Sequence, residues 1–207
     1  EQKFVLPDVE TEGLSHLYSK PWQLGYVTFT LDKNLEEVNR YIWWPKLRVS
    51  KGAVAATRFN YQFYKERAED PKKVLEEFQD VLYSKSYKCV SQNWVGYDSM
   101  IINVWRRELG LKPYYDYLYD PFKVYDTLAI ARGIKKGLKP DTSSSNAFLS
   151  WQYRMLTIRD RTLKCSLGAL AKELKIETNE NNLHDGLYDT QINREVFRKQ
   201  VWLTELV

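Results

Sequence analysis

Apolar residues recur with two different periods along this chain, and the change of period divides it into two parts. Near the start, Lys3–Pro7 and Gln23–Leu31 are short runs rich in β-branched and aromatic residues, a pattern typical of strands. A third run, Asn39–Trp44, follows a turn signal at Asp32-Lys33-Asn34. The chain is therefore predicted to open as an antiparallel meander of three strands.

Helical spacing begins at Asp70, which suits an N-cap and is followed by Pro71, a residue favoured at the first helical position. Short apolar runs predict two more strands, at Lys88–Ser91 and Val124-Tyr125. Further helices are predicted at Asp98–Leu109, from Asp126 to Ala131, at Ser166–Leu174 and at Asp185–Leu203. The predicted fold class is α/β: a mixed five-stranded sheet, with three antiparallel strands and then two more, flanked by helices.

Composition narrows the class of protein. A chain of 207 residues with 43% hydrophobic residues can fill one core, so we predict a single domain over residues 1–207. Cys89 and Cys165 lie in apolar stretches, which favours buried free thiols in a reducing, cytoplasmic compartment over a disulfide framework or zinc site.

No apolar run approaches the roughly 18 residues of a membrane span, and no membrane partner is expected. The missing initiator Met suggests a chain trimmed or cut from something longer.

Four carboxylates and one imidazole form the candidate chemistry: Asp8, Glu10, Asp98, His184 and Asp189. Asp8 and Glu10 stand two apart at the end of a strand, so their side chains project toward the same face. Carboxylate oxygens bind hard divalent cations, and an imidazole can accept a proton near neutral pH. Taken singly, each residue is more often a turn residue, a helix cap or a surface charge, so the prediction depends on their combined order.

The neighbours of these residues resemble the DnaQ-like, or DEDD, 3′–5′ exonucleases. Asp8–Leu14 reads D-V-E-T-E-G-L, which matches the family's D-x-E-T-x-G-L, and Gln92–Asp98 is similar to its H/Y-N-x-x-F-D in a version one residue longer. Asp126–Arg132 resembles the stretch before the third motif, which stands here as Ser166–Ala171 and Leu183–Asp189. A histidine five residues before the last aspartate is typical of the histidine subclass. The resemblance covers essentially the whole chain.

The resemblance implies a ribonuclease H-like fold and hydrolysis of phosphodiester bonds at the 3′ end of single-stranded DNA. It also implies two divalent ions, Mg²⁺ or Mn²⁺, that stabilise the attacking and leaving oxygens together. By motif, Asp8, Glu10, Asp98 and Asp189 would hold the metals, and His184 would be the general base.

Substrate contacts are also implied by the resemblance. Thr11 and Leu14 fall where the family holds the 3′-terminal nucleotide, and Asn93 is a further candidate for substrate binding. The alternative for Thr11 and Leu14 is a turn hydroxyl and a core leucine. Gln92 stands where most members have His or Tyr, so no role is assigned to it.

Basic and aromatic residues are interleaved in the segment Lys135–Lys164. Seven basic residues stand against two acidic ones, a net charge of +5 in a chain of net charge +4. We therefore predict a basic aromatic insertion or lid at about 135–165 that holds single-stranded nucleic acid, with Trp151 and Arg154 in contact with substrate. The alternative is a solvated loop whose aromatic residues pack onto the core. Asp141–Asn146 is predicted to be a flexible loop tip, and Lys46–Arg67 is a weaker candidate for a nucleic-acid contact.

Three alternatives remain open at this stage. DNA is favoured over RNA, but an exoribonuclease of the same mechanism is the main alternative, because the choice depends on how the 2′-OH is received. A non-catalytic nucleic-acid-binding module would be expected to lack at least one carboxylate, whereas all four are present. A DNA polymerase is a possible partner, with proofreading as the function.

Overall fold

One mixed sheet with six strands organises the structure, a computed structural model that describes residues 1–206. The strands, in chain order, are β1 (Lys3–Thr11), β2 (Pro21–Phe29), β3 (Asn34–Ile42), β4 (Ala68–Glu69), β5 (Tyr87–Ser91) and β6 (Val124–Asp126). Their order in the sheet is β4-β3-β2-β1-β5-β6. The first three are antiparallel, whereas β5 pairs in parallel with β1 and β6 in parallel with β5.

The predicted α/β architecture is confirmed, with one strand added at the edge. Strand β4 has two residues and pairs in parallel with the end of β3. A strand this short contains no repeat of hydrophobic and polar positions, so its sequence gives no signal.

The described residues contain eight α-helices. In chain order they are α1 (Lys51–Thr57), α2 (Tyr61–Arg67), α3 (Pro71–Leu82), α4 (Ser99–Glu108), α5 (Thr127–Lys136), α6 (Ser145–Leu156), α7 (Leu167–Glu173) and α8 (Gly186–Thr204). The predictions of α3, α4, α5, α7 and α8 are confirmed. Helices α1 and α2 were not predicted, because each is two turns long and α1 buries none of its residues. Among residues 1–206, no helix combines the length and the apolar character needed to cross a bilayer.

Alternate residues of β1 point to two separate apolar clusters. Val5 and Val9 pack with side chains of α3 and α4, whereas Phe4 and Leu6 pack with side chains of α5, α6 and α8. Because side chains alternate along a strand, even-numbered residues of β1 share the face covered by α8. That alternation continues to the polar end of β1 and decides where its carboxylates lie. Cys89 and Cys165 are both free and buried, as predicted.

The segment 135–165 contains helix α6, which packs into the core. Phe148 and Trp151 are 0% and 2% exposed, and their rings stack with centroids 6.3 Å apart. The Trp151 ring also lies against Gly133, where an added Cβ would come within 2.4 Å of it. The prediction that Trp151 contacts substrate is therefore wrong, because the indole has no free face, and the alternative of core packing holds for these aromatic residues. Arg154 lies on the exposed side of the same helix, and its predicted contact stays a prediction.

Gln152 attaches α6 to the edge strand of the sheet. Its side-chain amide accepts a hydrogen bond from Asp126 N at 2.7 Å and donates one to Val124 O at 3.0 Å. A buried backbone group without a partner costs about 1–3 kcal/mol, so Gln152 supplies to β6 the hydrogen bonds that a further strand would supply. Helix α6 is therefore part of the scaffold that supports β6.

The burial of α6 predicts that Trp151 acts on stability. We expect Trp151→Ala to lower the free energy of unfolding by about 3–5 kcal/mol, the range for a large buried aromatic residue. Arg154→Ala, on the exposed face of the same helix, should change it by less than about 0.5 kcal/mol. Urea denaturation followed by circular dichroism measures both values. Equal values for the two variants would contradict the observed packing.

Candidate active site

Three carboxylates from two elements meet at the end of β1. Asp8 and Glu10 occupy even-numbered positions of β1 and so face α8, while Asp189 lies in the first turn of α8. Carboxylate oxygens of Asp8, Glu10 and Asp189 lie within 4.8 Å of one another, and all three side chains are half-buried. The structure therefore brings together residues that are about 180 positions apart in sequence. Three oxygen donors at this separation can bind one divalent cation.

The absence of a side chain at Gly25 allows α8 to approach the sheet. Gly25 pairs with Asp8 across the β1–β2 ladder, on the face that α8 covers. A Cβ added at Gly25 would lie 2.4 Å from Gly186 C and 2.4 Å from Leu187 N, closer than any side chain can pack. The N-terminus of α8 thus lies directly on β2, which brings Asp189 within reach of Asp8.

Asp98 enters the site from a separate turn. It ends a π-helical turn, Trp94–Asp98, that follows β5, and its side chain is 4% exposed. Its backbone is already helical and its carboxylate makes no capping hydrogen bond, so Asp98 does not serve as the cap of α4. Burial and the charge of Asp8 raise the pKa of Asp98 well above its usual range, and a hydrogen bond from the Val9 backbone partly opposes this rise. Asp98 is therefore near enough to Asp8 for their charges to interact, although it is not one of the three carboxylates whose oxygens lie within 4.8 Å of one another.

Asn93 and Asp126 build the turn that carries Asp98. Asn93 has a left-handed backbone (φ 66°), a conformation that asparagine tolerates better than most residues. Its N–H donates to Asp126 Oδ1 at 3.0 Å, and the same oxygen accepts from Leu128 N and Ala129 N at the start of α5. The predicted contact of Asn93 with substrate stays a prediction, whereas its part in the turn is visible. Asp126 is fully buried, and burial raises its pKa to about 6.

His184 lies in the loop immediately before α8. Its backbone is left-handed (φ 67°), and its N–H points to both carboxylate oxygens of Asp189, at 3.3 and 3.2 Å. The residue is exposed, so its imidazole can reach solvent. The loop is also contacted by Arg58, which donates to Asn181 O. His184 is thereby held next to the Asp189 carboxylate while its side chain remains accessible.

Asp185 and Gln23 are site residues that the sequence analysis did not single out for function. Asp185 caps α8 by accepting from Tyr188 N at 3.0 Å, and its other oxygen accepts from Gln23 Nε2 at 3.2 Å. After burial and the charge of Asp189, the charge of Asp185 is the third cause that raises the pKa of Asp8. The signal available in sequence was an aspartate directly before a helix, which is the pattern of an ordinary N-cap.

The first turn after Glu10 has a polar base and an exposed tip. Thr11 Oγ1 donates to Gly13 O at 2.7 Å and lies 3.0 Å from Tyr97 Oη, which also donates to Gly13 O at 3.0 Å. Leu14 is 93% exposed, so it is not a core leucine. Tyr97 was missed as a site residue, because it precedes Asp98 in a turn whose geometry is not readable from sequence.

This arrangement of sheet and helices is similar to that of solved exonuclease structures. E. coli Exonuclease I in complex with a dT13 oligonucleotide matches with a TM-score of 0.74 and 15% identity, over 99% of this chain and 42% of that one. Its zinc-bound form in complex with single-stranded DNA matches with a TM-score of 0.72 and 16% identity, over 98% and 41%. Its complex with SSB-Ct matches with a TM-score of 0.69 and 14% identity, over 99% and 42%.

The chain has the fold of Exonuclease I. The predicted ribonuclease H-like architecture is thereby confirmed. The chain spans about two fifths of the length of the Exonuclease I chains that it matches. No protein-family model matches this sequence, and neither does any curated protein.

The electrostatics of this carboxylate cluster favour a bound cation. Burial, followed by repulsion from Asp189 and Asp185, raises the pKa of Asp8 to about 8. Burial and its acidic neighbours raise the pKa of Glu10 well above its usual range, and burial raises that of Asp189 to about 6 although His184 opposes the rise. Crowded carboxyls resist ionisation unless a positive charge compensates them. An all-oxygen donor set of this kind fits Mg²⁺ or Mn²⁺.

A prediction on metal affinity follows from the contact at Gly25. We expect Gly25→Ala to weaken binding of Mn²⁺ by about 10–100-fold, the loss typical when the support of a ligand is disturbed, because the added methyl group would displace α8 and Asp189. Gly52→Ala is the matched control, since a Cβ there meets no atom within 4 Å. Isothermal titration with Mn²⁺ measures both, and equal affinities would contradict this role of Gly25.

The raised pKa of Asp8 predicts how stability depends on pH. A carboxyl whose folded-state pKa is raised binds more protons when folded, so the metal-free protein should lose stability as pH rises from about 4 to about 8. Asp8→Asn removes this charge and should raise the melting temperature in EDTA at pH 8, by about 2–4 °C per kcal/mol relieved, with little effect at pH 4. The exposed Asp80→Asn serves as control. A lower melting temperature for Asp8→Asn at pH 8 would contradict the prediction.

Proposed function

We propose that this protein is a metal-dependent 3′–5′ exonuclease that hydrolyses phosphodiester bonds at the 3′ end of single-stranded DNA. The observation that carries the proposal is the cluster of Asp8, Glu10 and Asp189, whose oxygens lie within 4.8 Å of one another in the fold of Exonuclease I. The DNA-bound forms of Exonuclease I, with dT13 and with single-stranded DNA, support this class of substrate.

Two divalent ions, Mg²⁺ or Mn²⁺, fit the donor set. Asp8, Glu10 and Asp189 would hold one ion, Asp8 would also hold the second, and Asp98 would support the site through water. When bound, such ions neutralise the phosphate and lower the pKa of a coordinated water. The raised pKa values of the carboxyls support this assignment, because a cation is what restores their ionised forms.

His184 is the proposed general base. It lies on the loop that enters α8 and is joined through its N–H to Asp189, so the imidazole stays near the metal-binding carboxylates. Its side chain accepts the proton of the attacking water and passes it to solvent, to which the residue is open. The bond from phosphorus to the 3′-oxygen of the preceding nucleotide breaks, and that oxygen takes a proton from solvent to become the new 3′-hydroxyl end. The released product is a nucleoside 5′-monophosphate.

The terminal nucleotide is held beside this cluster. Thr11 anchors the turn through Gly13, and Leu14 presents an uncovered apolar side chain on which a nucleobase can pack. Tyr97 stabilises the same turn by donating to Gly13 O, and burial, followed by the charges of Asp98, Glu10 and Asp8, raises its pKa. Asn93 and Arg154 are further proposed contacts.

Three finer assignments from the sequence stay predictions: DNA over RNA, a DNA polymerase as partner for proofreading, and a cytoplasmic location. The reducing compartment is supported by the two free thiols, Cys89 and Cys165. The assay below separates DNA from RNA as substrate.

The decisive assay uses 5′-labelled and 3′-labelled single-stranded DNA and RNA of matched sequence, with Mg²⁺, Mn²⁺ or EDTA. We expect the 5′-labelled DNA to shorten progressively from its 3′ end, and only with metal. His184→Ala should reduce the rate by about 10²–10⁴-fold, the range for loss of a positioned acid–base group. Asp8→Ala, which removes a proposed ligand of both ions, should reduce the rate at least as much.

Asp80→Ala, at an exposed carboxylate on α3, is the matched control and should leave the rate unchanged. Cleavage in EDTA, or full activity of both site variants, would contradict the proposed mechanism. Faster degradation of RNA than of DNA would replace the proposed substrate by RNA. Binding without hydrolysis of either strand would identify a non-catalytic module.

A further inference from the structure

The loop that follows Glu10 is ordered by hydrogen bonds at its base. Glu12 N donates to Lys20 O at 3.1 Å, and Lys20 N donates to the Glu12 carboxylate at 3.0 Å, so the loop is closed where it leaves the sheet. Inside it, Ser19 N donates to Ser15 O at 2.9 Å. The loop therefore holds its side chains in defined positions.

This ordered loop exposes three large apolar side chains. Leu14 is 93% exposed, Leu17 53% and Tyr18 72%, all within five consecutive residues. Single exposed apolar residues are common, but a contiguous group indicates a binding surface. Because the loop starts one residue after Thr11, which is bonded to Gly13, this surface is continuous with the site of the terminal nucleotide.

Arg107 adds a positive charge to the same surface. It reaches from the last turn of α4 and donates through Nη2 to Leu17 O at 2.7 Å. Its guanidinium lies 5.8 Å from the centroid of the Tyr18 ring, and about half of the Arg107 side chain (51%) is exposed. The neighbouring Glu108 carboxylate is 4.0 Å away, at the limit of an ion pair. A guanidinium has five N–H donors, so Arg107 can bind the Leu17 carbonyl and a phosphate together.

An exposed aromatic ring beside an arginine has the chemistry of a nucleotide subsite. Bases stack on aromatic side chains, and the arginine neutralises the adjoining phosphate. We propose that Tyr18 and Arg107 form a second subsite, which binds a nucleotide upstream of the 3′-terminal one at Leu14. This inference rests on the proposed function and adds to it how the rest of the strand is held.

Two measurements test the subsite: the affinity of protein variants for DNA, and the affinity for DNA that lacks the base expected to stack on Tyr18. Affinities are measured by fluorescence anisotropy for a 5′-labelled dT10, with Ca²⁺ replacing Mg²⁺. Tyr18→Ala should weaken binding by about 5–150-fold, the equivalent of 1–3 kcal/mol per stacked base, while Tyr18→Phe should keep wild-type affinity. Arg107→Ala should weaken binding of dT10. In a plot of the logarithm of the association constant against the logarithm of the salt concentration, it should reduce the steepness of the slope by about 0.7.

The control is Trp202→Ala. Trp202 is 87% exposed, and it lies 13 residues after Asp189 on α8, which places it about 20 Å away along the helix.

The same affinities are then measured with a single abasic nucleotide at the second, third or fourth position from the 3′ end. At the position that stacks on Tyr18, the abasic change should weaken wild-type binding and have little effect on Tyr18→Ala. Because Tyr18 is exposed, its substitution should leave the melting temperature unchanged.

The subsite would be overturned if Tyr18→Ala bound dT10 with unchanged affinity. It would also be overturned if, at each of the three abasic positions, the loss of affinity from the missing base were the same in Tyr18→Ala as in the wild-type protein. Hydrolysis of the p-nitrophenyl ester of thymidine 5′-monophosphate, which offers one nucleotide only, separates the two proposals. Wild-type hydrolysis of the ester with no effect of Tyr18→Ala on dT10 leaves the exonuclease and removes the subsite. A wild-type protein that neither hydrolyses the ester nor binds dT10 removes both.

Discussion

Mutual repulsion between crowded carboxylates that are partly or fully buried is the constraint on which this structure depends. Asp8, Glu10, Asp98 and Asp189 come from three separate elements, and the pKa of each is raised because burial and like charges oppose its ionisation. Such a cluster persists only if the surrounding structure holds its members in place. The sheet and α8 hold these carboxylates in place through close contact between their backbones.

Two contacts at a distance from the carboxylates provide this support. The N-terminus of α8 lies on Gly25 with no space for a side chain, so Asp189 is placed by backbone packing. On the other side, Gln152 holds β6, Asp126 at the end of β6 binds Asn93, and Asn93 opens the turn that ends at Asp98. The basic segment thus contributes to the site through α6 as a scaffold.

The acidic side chains of the site are less exposed than the residues at its edge. Asp98 is almost fully buried, whereas His184 and Leu14 are exposed at the edge. This gradient places oxygen donors suited to hard cations where water is scarce, and leaves the apolar side chain of Leu14 in contact with water. Loops carry the accessible residues, and the strands and α8 position the acidic ones, a common division of labour in enzymes.

Much of the site could be predicted from the sequence, because it depends on local spacing. The two-residue step from Asp8 to Glu10 places both on one face of a strand, and the motif around His184 and Asp189 is contained in one loop and one helical turn. The strands and longer helices follow from their periodicity in the same way. Short elements such as β4 and α1 lack enough residues for a period.

Long-range packing decided the rest. Sequence patterns do not distinguish an aromatic residue on a core-facing helix from one on a lid, so the burial of Trp151 against Gly133 appears only in three dimensions. Leu14 is the opposite case: an apolar residue there could have been a core leucine, but the fold leaves it exposed. The sequence by itself determined which groups can do the chemistry, because that depends on residue type and local spacing. Only the tertiary structure decided which side chains are free to meet a substrate, because burial is a property of contacts between distant segments.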